Sequence, residues 1–352
     1  MRIVVDINHP AHVHYFKNFI WQMQKKGHET LITASEKDIS YKLLNNYEFD
    51  YIKLGAYGKS LSYKILNIPA LDVKMYGAVK KFNPDVFLGQ GSIRGAHVSK
   101  LMNRPSIALD DTEHAKLEHM LYVPFTDAVL TSTCFRKDFG KKQVRYNGYT
   151  ELLYLHPNCF KPDPAVLDEV GLSKNDNIII LRFVSWDANH DVGQNGLSRE
   201  MKHKFVKDLE KYGRVLITSE VSLDKELEKY KMNIKPERLH DLLYYSTLYI
   251  GEGATTASES AVLGTHAIYV NTLRLGYTDE EETKYGLVYN FSDKKTMDRQ
   301  AFSKAMELLQ NNNLRSEGKA KREKLLRDKI DVTAFLMNFI ENYQKDTISG
   351  RL

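Results

Sequence analysis

Short apolar runs rich in β-branched residues alternate with amphipathic stretches along almost the whole chain. Arg2–Val5 is the first such run, followed by the amphipathic segment Val13–Lys26 and by further strand-like runs at Thr30–Thr33 and Tyr51–Leu54. A long helical region is predicted from Tyr63 to Phe82, interrupted near Pro69. After it, strands at Val86–Leu88, Ser106–Leu109, Ala128–Thr131 and Val144–Tyr146 interleave with helices at Ile93–Met102 and Glu113–Leu121. Residues 147–175 carry Asn147-Gly148, Pro157, Pro162 and Pro164, which is the chemistry of turns and linkers. The alternation then restarts. Strands are predicted at Asn177–Leu181, Arg214–Thr218, Leu248–Ile250 and Ala267–Val270, helices at Met201–Tyr212, Leu239–Tyr245 and Thr256–Leu263, and a helical tail from Met297 to Tyr343. Alternation of this kind means βαβ units and parallel sheets. The predicted class is α/β, with two Rossmann-like domains facing each other across a cleft. Their expected limits are 1–160 and 161–335, with a helix and tail over 336–352 that packs back on the N-terminal domain.

In open α/β sheets ligands bind at the carboxyl ends of strands, so the loops there hold the candidate chemistry. The first, Asp6-Ile-Asn-His-Pro-Ala-His-Val-His14, places His9, His12 and His14 within six residues. An imidazole with an ordinary pKa near 6.5 suits general-base work; helix capping and packing are the structural alternative. The loop Leu88-Gly-Gln-Gly-Ser-Ile-Arg-Gly95 offers Gly91 and Ser92 for close backbone approach to a ligand, or is a tight strand-to-helix turn. In Leu109-Asp-Asp-Thr-Glu-His114, Asp111 could carry a proton or cap the next helix. Gly253, Ala254, Thr255 and Thr256 open a predicted helix with small residues, a cradle for phosphate, and Glu259 stands one turn further in, where a carboxylate could accept ribose hydroxyls. Arg182 and Ser185 follow the first strand of the second half and could meet a diphosphate.

Composition narrows the picture little. The 352 residues suit two domains, 42% are hydrophobic and 27% charged, and the net charge is +5. The positive residues are spread along the chain, without a nucleic-acid-binding motif, so no nucleic-acid partner is expected. The two cysteines, Cys134 and Cys159, are far apart and in no metal-binding spacing; no metal is predicted. MRIVVDINHP reads as a buried strand and lacks the features of a secretory signal, which points to the cytoplasm. Leu61–Met75 mixes Tyr, Leu, Ile, Pro and Lys and could rest on the inner face of a membrane, or be an ordinary domain helix.

The segment Gly-Ala-Thr-Thr-Ala-Ser-Glu-Ser-Ala-Val-Leu-Gly-Thr-His-Ala-Ile resembles the donor-binding signature of GT-B glycosyltransferases, in particular the N-acetylglucosaminyltransferase that makes lipid II. Gly-Gln-Gly-Ser-Ile-Arg-Gly and Ala-His-Val-His-Tyr-Phe are similar to two further segments of that family. The Asn-His-Pro-Ala-His opening matches better the DUF354 group of glycosyltransferase-like proteins. Two features depart from the transferase pattern. Asn8-His9-Pro10-Ala11 replaces its glycine run, and Arg274-Leu-Gly-Tyr-Thr-Asp-Glu-Glu281 stands where a glutamine-containing sugar-recognition segment is expected.

The resemblance implies an inverting transfer from a nucleotide-sugar, a UDP-sugar by expectation, without a tightly bound cofactor or metal. Gly253–Thr256 would hold the diphosphate, Glu259 the ribose, and His12 would be the base. The acceptor would be a glycan or lipid-linked glycan of the cell surface, reached through peripheral membrane contact. A non-hydrolysing nucleotide-sugar 2-epimerase is the alternative within this fold, although the acidic residue expected after the fourth strand appears as Gly91 or Ser92 and the expected His-Arg-Arg-Glu-Asn type segment is missing. A non-catalytic nucleotide-sugar-binding subunit is the third reading.

Overall fold

The computed structural model describes residues 1–37, 39–56, 58, 65–184, 196–220 and 222–348, with side chains as far as 343. The chain divides into two compact units, Met1–Tyr154 with Ile330–Leu352, and Leu155–Lys329.

The first unit is built on a seven-stranded parallel sheet. Its strands are β1 (Arg2–Ile7), β2 (Glu29–Ser35), β3 (Tyr51–Gly55), β4 (Val86–Gln90), β5 (Ser106–Asp110), β6 (Ala128–Ser132) and β7 (Gln143–Tyr146), in the order β3-β2-β1-β4-β5-β6-β7. Ile3, Val4, Val5 and Ile7 of β1 are all fully buried, as a strand covered by helices on both faces requires. The order reverses between β1 and β4, whose ends pair Asp6 with Gly89. That reversal opens a crevice at the carboxyl edge, and the loops after both strands border it.

The second unit carries β8 (Ile178–Phe183), β9 (Arg214–Ser219), β10 (Leu248–Gly251), β11 (His266–Val270) and β12 (Val288–Phe291), all parallel, in the order β12-β11-β10-β8-β9. Here the reversal falls between β8 and β10, whose ends pair Arg182 with Gly251, so Arg182 and the segment Gly251–Thr255 lie at one crevice. Phe183, Phe205, Leu209, Ile250 and Ile268 belong to the core beneath it.

Several local readings change, but the break expected near Pro69 is present: Ile65 and Leu66 are helical, Asn67 is a turn, and a new helix runs Ile68–Val79 with Pro69 in its first turn, where its missing N–H costs nothing. That helix buries Ile68, Leu71, Met75 and Val79, while Leu66 just before it and Val73 within it are 79% and 72% exposed. Tyr63 and Lys64 lie outside the described residues. The stretch after Tyr146 is not an exposed linker at its start: Tyr149 and Leu152–Leu155 are buried. The helix Ser40–Asn46, strand β12 and the helical stretch Gly276–Tyr285 did not show in the periodicity. The tail resolves into Met297–Leu309 and Leu314–Asp328 on the second unit and Val332–Ile348 on the first. This last helix buries Val332, Leu336 and Ile340 at four-residue spacing, Thr333 Oγ1 donates to the Leu153 carbonyl at 2.6 Å, and Lys26 meets Glu341 at 2.9 Å. No helix among the described residues is long and apolar enough to cross a membrane.

One close approach makes a test of the second unit. A Cβ at Gly318, in the helix Leu314–Asp328, would lie 2.2 Å from the carbonyl oxygen of Gly264, which ends the helix Ala254–Leu263 with φ +86°. Backbone cannot yield as a flexible side chain does, so Gly318→Ala should lower the unfolding free energy by about 1–3 kcal/mol. Urea unfolding checks this, and an unchanged midpoint would show that the helix shifts freely.

Candidate functional site

At the crevice of the first unit the decisive side chain is Asp6, buried at the end of β1. Arg94, 0% exposed, approaches it with Nη2 2.6 Å and Nε 3.0 Å from Oδ1. Ser92 Oγ donates to Asp6 Oδ2 at 2.6 Å, Thr33 Oγ1 to Oδ1 at 2.7 Å and Asn8 Nδ2 to Oδ2 at 2.9 Å. Arg94 Nη1 also donates to Ser35 Oγ at 2.9 Å, and Ser35 donates to Asn8 Oδ1 at 3.0 Å. Burial alone raises the pKa of Asp6, but the charge of Arg94 and the hydrogen bonds from Arg94, Ser92 and Thr33 outweigh it and hold the carboxyl below its ordinary value. This network fixes the loops after β1, β2 and β4 to one another.

The predicted residues fall into place around it. Ser92 caps the helix Ile93–Leu101, accepting from Gly95 N at 3.0 Å, so both its hydrogen-bonding roles are structural. Gly91 has φ +50°, and a Cβ there would lie 3.4 Å from the ring of Tyr122. His9 is the N-cap of the helix Pro10–Lys25, its Nδ1 accepting from Ala11 N at 3.2 Å. His14 is buried, with Tyr154 and Tyr47 rings 5.7 and 5.9 Å from its own. His12 touches the loop after β1 through Asn8. It is half-buried, and burial, then the neighbouring His9, lower its pKa to about 3 against the opposing charge of Asp6. Its Nδ1 accepts from Asn8 N at 3.3 Å, so the neutral ring carries its proton on Nε2 and presents a donor.

Asp111 is not a helix cap, because the next helix starts at Lys116 with Ala115 before it. Its carboxylate receives Gln90 Nε2 at 2.8 Å, Thr112 Oγ1 at 2.9 Å and Tyr15 Oη at 3.1 Å. The Tyr15 ring stacks on His12 at 5.8 Å, which brings His12 and Asp111 into one group. Burial, then the adjacent charge of Asp110, push Asp111 up to about 6 against the hydrogen bonds of Thr112 and Tyr15. Asp110 itself accepts from Thr112 N at 2.8 Å and from Tyr122 Oη, and its Oδ2 lies 2.8 Å from His119 Nε2. Lys137 Nζ donates to the other nitrogen of that imidazole. Of the two neighbouring carboxyls, Asp111 is the one that burial carries toward neutrality.

In the second unit the helix Ala254–Leu263 opens at Gly253 with no side-chain cap and no acidic residue in its first turn. Gly253, Ala254 and Thr255 are half-exposed, so first-turn amides and the positive end of the helix dipole are offered to a ligand. A Cβ at Gly253 would lie 3.6 Å from Arg182 Nε, and one at Gly251 would lie 2.2 Å from Tyr249 Oη. The glycines therefore let backbone sit close under the guanidinium, whose Nη2 is tied to Glu220 at 2.7 Å. Thr256 is buried. Ser185 lies outside the described residues. Glu259 is buried and paired through Oε1 with His240 Nε2 at 2.8 Å, so a direct ribose contact would compete with that pair.

Sequence reasoning missed Glu252. Its buried carboxylate receives Leu197 N at 2.7 Å and Val184 N at 2.9 Å, with Lys202 Nζ at 3.3 Å. It therefore pins the residues flanking the loop after β8. Among the described residues no three His, Cys, Asp or Glu are placed to hold a metal ion.

Two units of doubly wound parallel sheet, each with its own switch point, define the GT-B class of fold. The family described as Protein of unknown function (DUF354) matches residues 1–345, and the chain belongs to it. An uncharacterized protein of Methanocaldococcus jannaschii is 24% identical over 271 residues, 74% of this chain and 79% of the other. Among solved structures, UDP-bound MnaA of S. aureus is 10% identical with a TM-score of 0.67 over 98% of this chain and 97% of its own. The spinosyn rhamnosyltransferase SpnG with its aglycone is 13% identical, TM-score 0.63, over 98% and 100%. The UDP-GlcNAc 2-epimerase of Methanocaldococcus jannaschii is 12% identical, TM-score 0.61, over 92% and 98%. At such identities the likeness is one of fold.

Beside the cradle helix, Glu281 is fully buried, with Ser258 Oγ donating to its Oε1 at 2.6 Å. Burial, reinforced by Glu280 and opposed by Ser258 and Lys329, raises its pKa to about 8. The native chain then holds a proton that the unfolded chain releases near pH 4.5. This contribution is complete below that pH and is lost as pH rises toward 8, with a slope of at most about 1.4 kcal/mol per pH unit. Urea midpoints of the wild type and Glu281→Gln should diverge across this window, the variant gaining on the wild type. A pH-independent difference would show the carboxyl to be ionised throughout.

Proposed function

We propose that the chain is a nucleotide-sugar enzyme that transfers a sugar from a nucleoside diphosphate, UDP by our reading, to a hydroxyl acceptor with inversion. The observation that supports it best is the cradle of the second unit. An uncapped helix start, glycines that admit close approach and a guanidinium beside them form a donor set suited to a diphosphate. Charge building on the leaving diphosphate would be met by Arg182 and the amides of Gly253–Thr255, a role that needs no divalent metal. Glu259 would hold His240 rather than the ribose.

In the first unit Asp111 is the group we assign to proton transfer from the acceptor, because its pKa of about 6 leaves it largely ionised at neutral pH yet able to accept a proton. His12 would donate a hydrogen bond from Nε2. The acceptor in this reading is a cell-surface glycan, and Leu66 and Val73 would make the peripheral membrane contact at the cytoplasmic face. Nucleotide-sugar 2-epimerisation is the second reading, favoured by the titratable carboxyl at the crevice. Product analysis separates the two.

UDP should raise the melting temperature of the wild type, and Arg182→Ala should lose most of that rise. No shift with UDP, GDP, CDP or dTDP would remove the nucleotide-sugar reading. Asp111→Asn should lower turnover at least about 100-fold while the UDP shift persists. The wild-type rate should climb through pH 6 and level off above it, since the base acts when deprotonated. A rate flat from pH 5 to 8 with an active Asp111→Asn variant would return the role to His12, whose pKa near 3 gives no limb in that range.

A further inference from the structure

A cavity of about 450 Å³ lies at the carboxyl ends of β2 and β3, apart from the Asp6 and Asp111 groups. That volume is within the range of small-molecule sites. Its polar walls are Glu36, at the end of β2, Tyr41, Lys53 and Lys74, and its floor includes Ile52 and Ala78. Lys53 Nζ stands 5.3 Å from the Tyr41 ring centroid. Lys74 Nζ reaches over Gly55 from the helix Ile68–Val79, 3.8 Å from where a Cβ would lie. Glu36 N donates to the Gly55 carbonyl at 3.2 Å, and Tyr41 Oη to the Ala34 carbonyl at 3.3 Å, which fixes the frame. Among the described residues no carboxylate pairs with Lys53 or Lys74, and no cation pairs with Glu36.

We infer that this cavity binds a hexose carrying an anionic group, phosphate or carboxylate, and that it is the acceptor subsite. Two ammoniums with no carboxylate partner among the described residues meet the anion, Glu36 accepts ring hydroxyls, and Tyr41 and the apolar floor take a face of the sugar. The acceptor assignment rests on the transferase reading; the binding itself does not.

Calorimetric titration of the full chain with glucose 6-phosphate, glucuronate, glucose and inorganic phosphate tests it. Wild type should bind at least one of the two anionic sugars at least tenfold more tightly than glucose, and the one preferred identifies the anion. Lys53→Ala/Lys74→Ala should lose that preference tenfold or more while UDP binding is unchanged. Glu36→Ala should weaken the preferred anionic sugar but not inorganic phosphate. Equal affinity of wild type and double variant, or no preference for either anionic sugar over glucose, overturns the inference. Lysine-dependent sugar binding without any UDP binding would sink the transferase reading and leave the cavity's ligand standing.

Discussion

The first unit depends on one buried ion pair, Asp6 with Arg94. A carboxylate and a guanidinium that are both withdrawn from water are costly unless every lone pair and N–H is met. Here Thr33, Ser92, Asn8 and Ser35 meet them. Removing either charge would strand the other, at a cost of about 3–5 kcal/mol. The pair lies where the strand order reverses, so what it fixes is not the hydrophobic core but the relative position of three loops. The ring of His12 takes its orientation from Asn8 N and Tyr15, and Asn8 is itself held by Asp6 and Ser35.

The second unit solves the same problem with a different residue. Glu252, at the end of β10, is a buried carboxylate that receives backbone amides rather than a guanidinium. Burial raises its pKa, and Lys202 with the two amides pulls against that rise. In both units a carboxylate at the switch point gathers the loops that follow neighbouring strands. The two crevices then differ in sign: carboxyls dominate in the first, helix amides and Arg182 in the second. Proton transfer and anion binding are the chemistries those two signs favour.

The strands were legible because a parallel strand covered on both faces is an unbroken apolar run, as in Ile3–Val5 and Ile178–Leu181. The helix start at Gly253–Thr256 was legible from its small residues after an apolar strand. The helix Ser40–Asn46 was not, being one of few turns with only Leu43 and Leu44 as apolar residues in the core. The burial of Tyr149–Leu155 was hidden because its context, Asn147-Gly148 and nearby prolines, reads as surface chain. Arg94 and Glu252 were invisible for a more general reason. Charged side chains are scored as surface by any local pattern, and only the tertiary partner that neutralises them makes burial tolerable. An arginine in the first turn of a helix that follows a glycine-rich turn, together with a strand-end aspartate, is the signal in the sequence.

The same effect explains why the histidines drew attention that Asp111 earns. At ordinary pKa values an imidazole near 6.5 is the natural base at neutral pH, and a carboxyl near 3.8 is too weak. Burial disfavours the charged form of each, but the charged forms lie on opposite sides of the titration. Desolvation therefore carries His12 down to about 3 and Asp111 up to about 6. The crevice exchanges the two groups' properties: the imidazole stays a neutral donor down to a pKa of about 3, and the carboxyl, at about 6, is the group that titrates nearer neutrality. His9 and His14 leave the comparison for other reasons, one committed to a helix end and the other packed among tyrosines. The three histidines and Asp111 share one crevice, and in the proposed reaction the proton chemistry would pass to the residue whose charge that crevice makes expensive but not prohibitive.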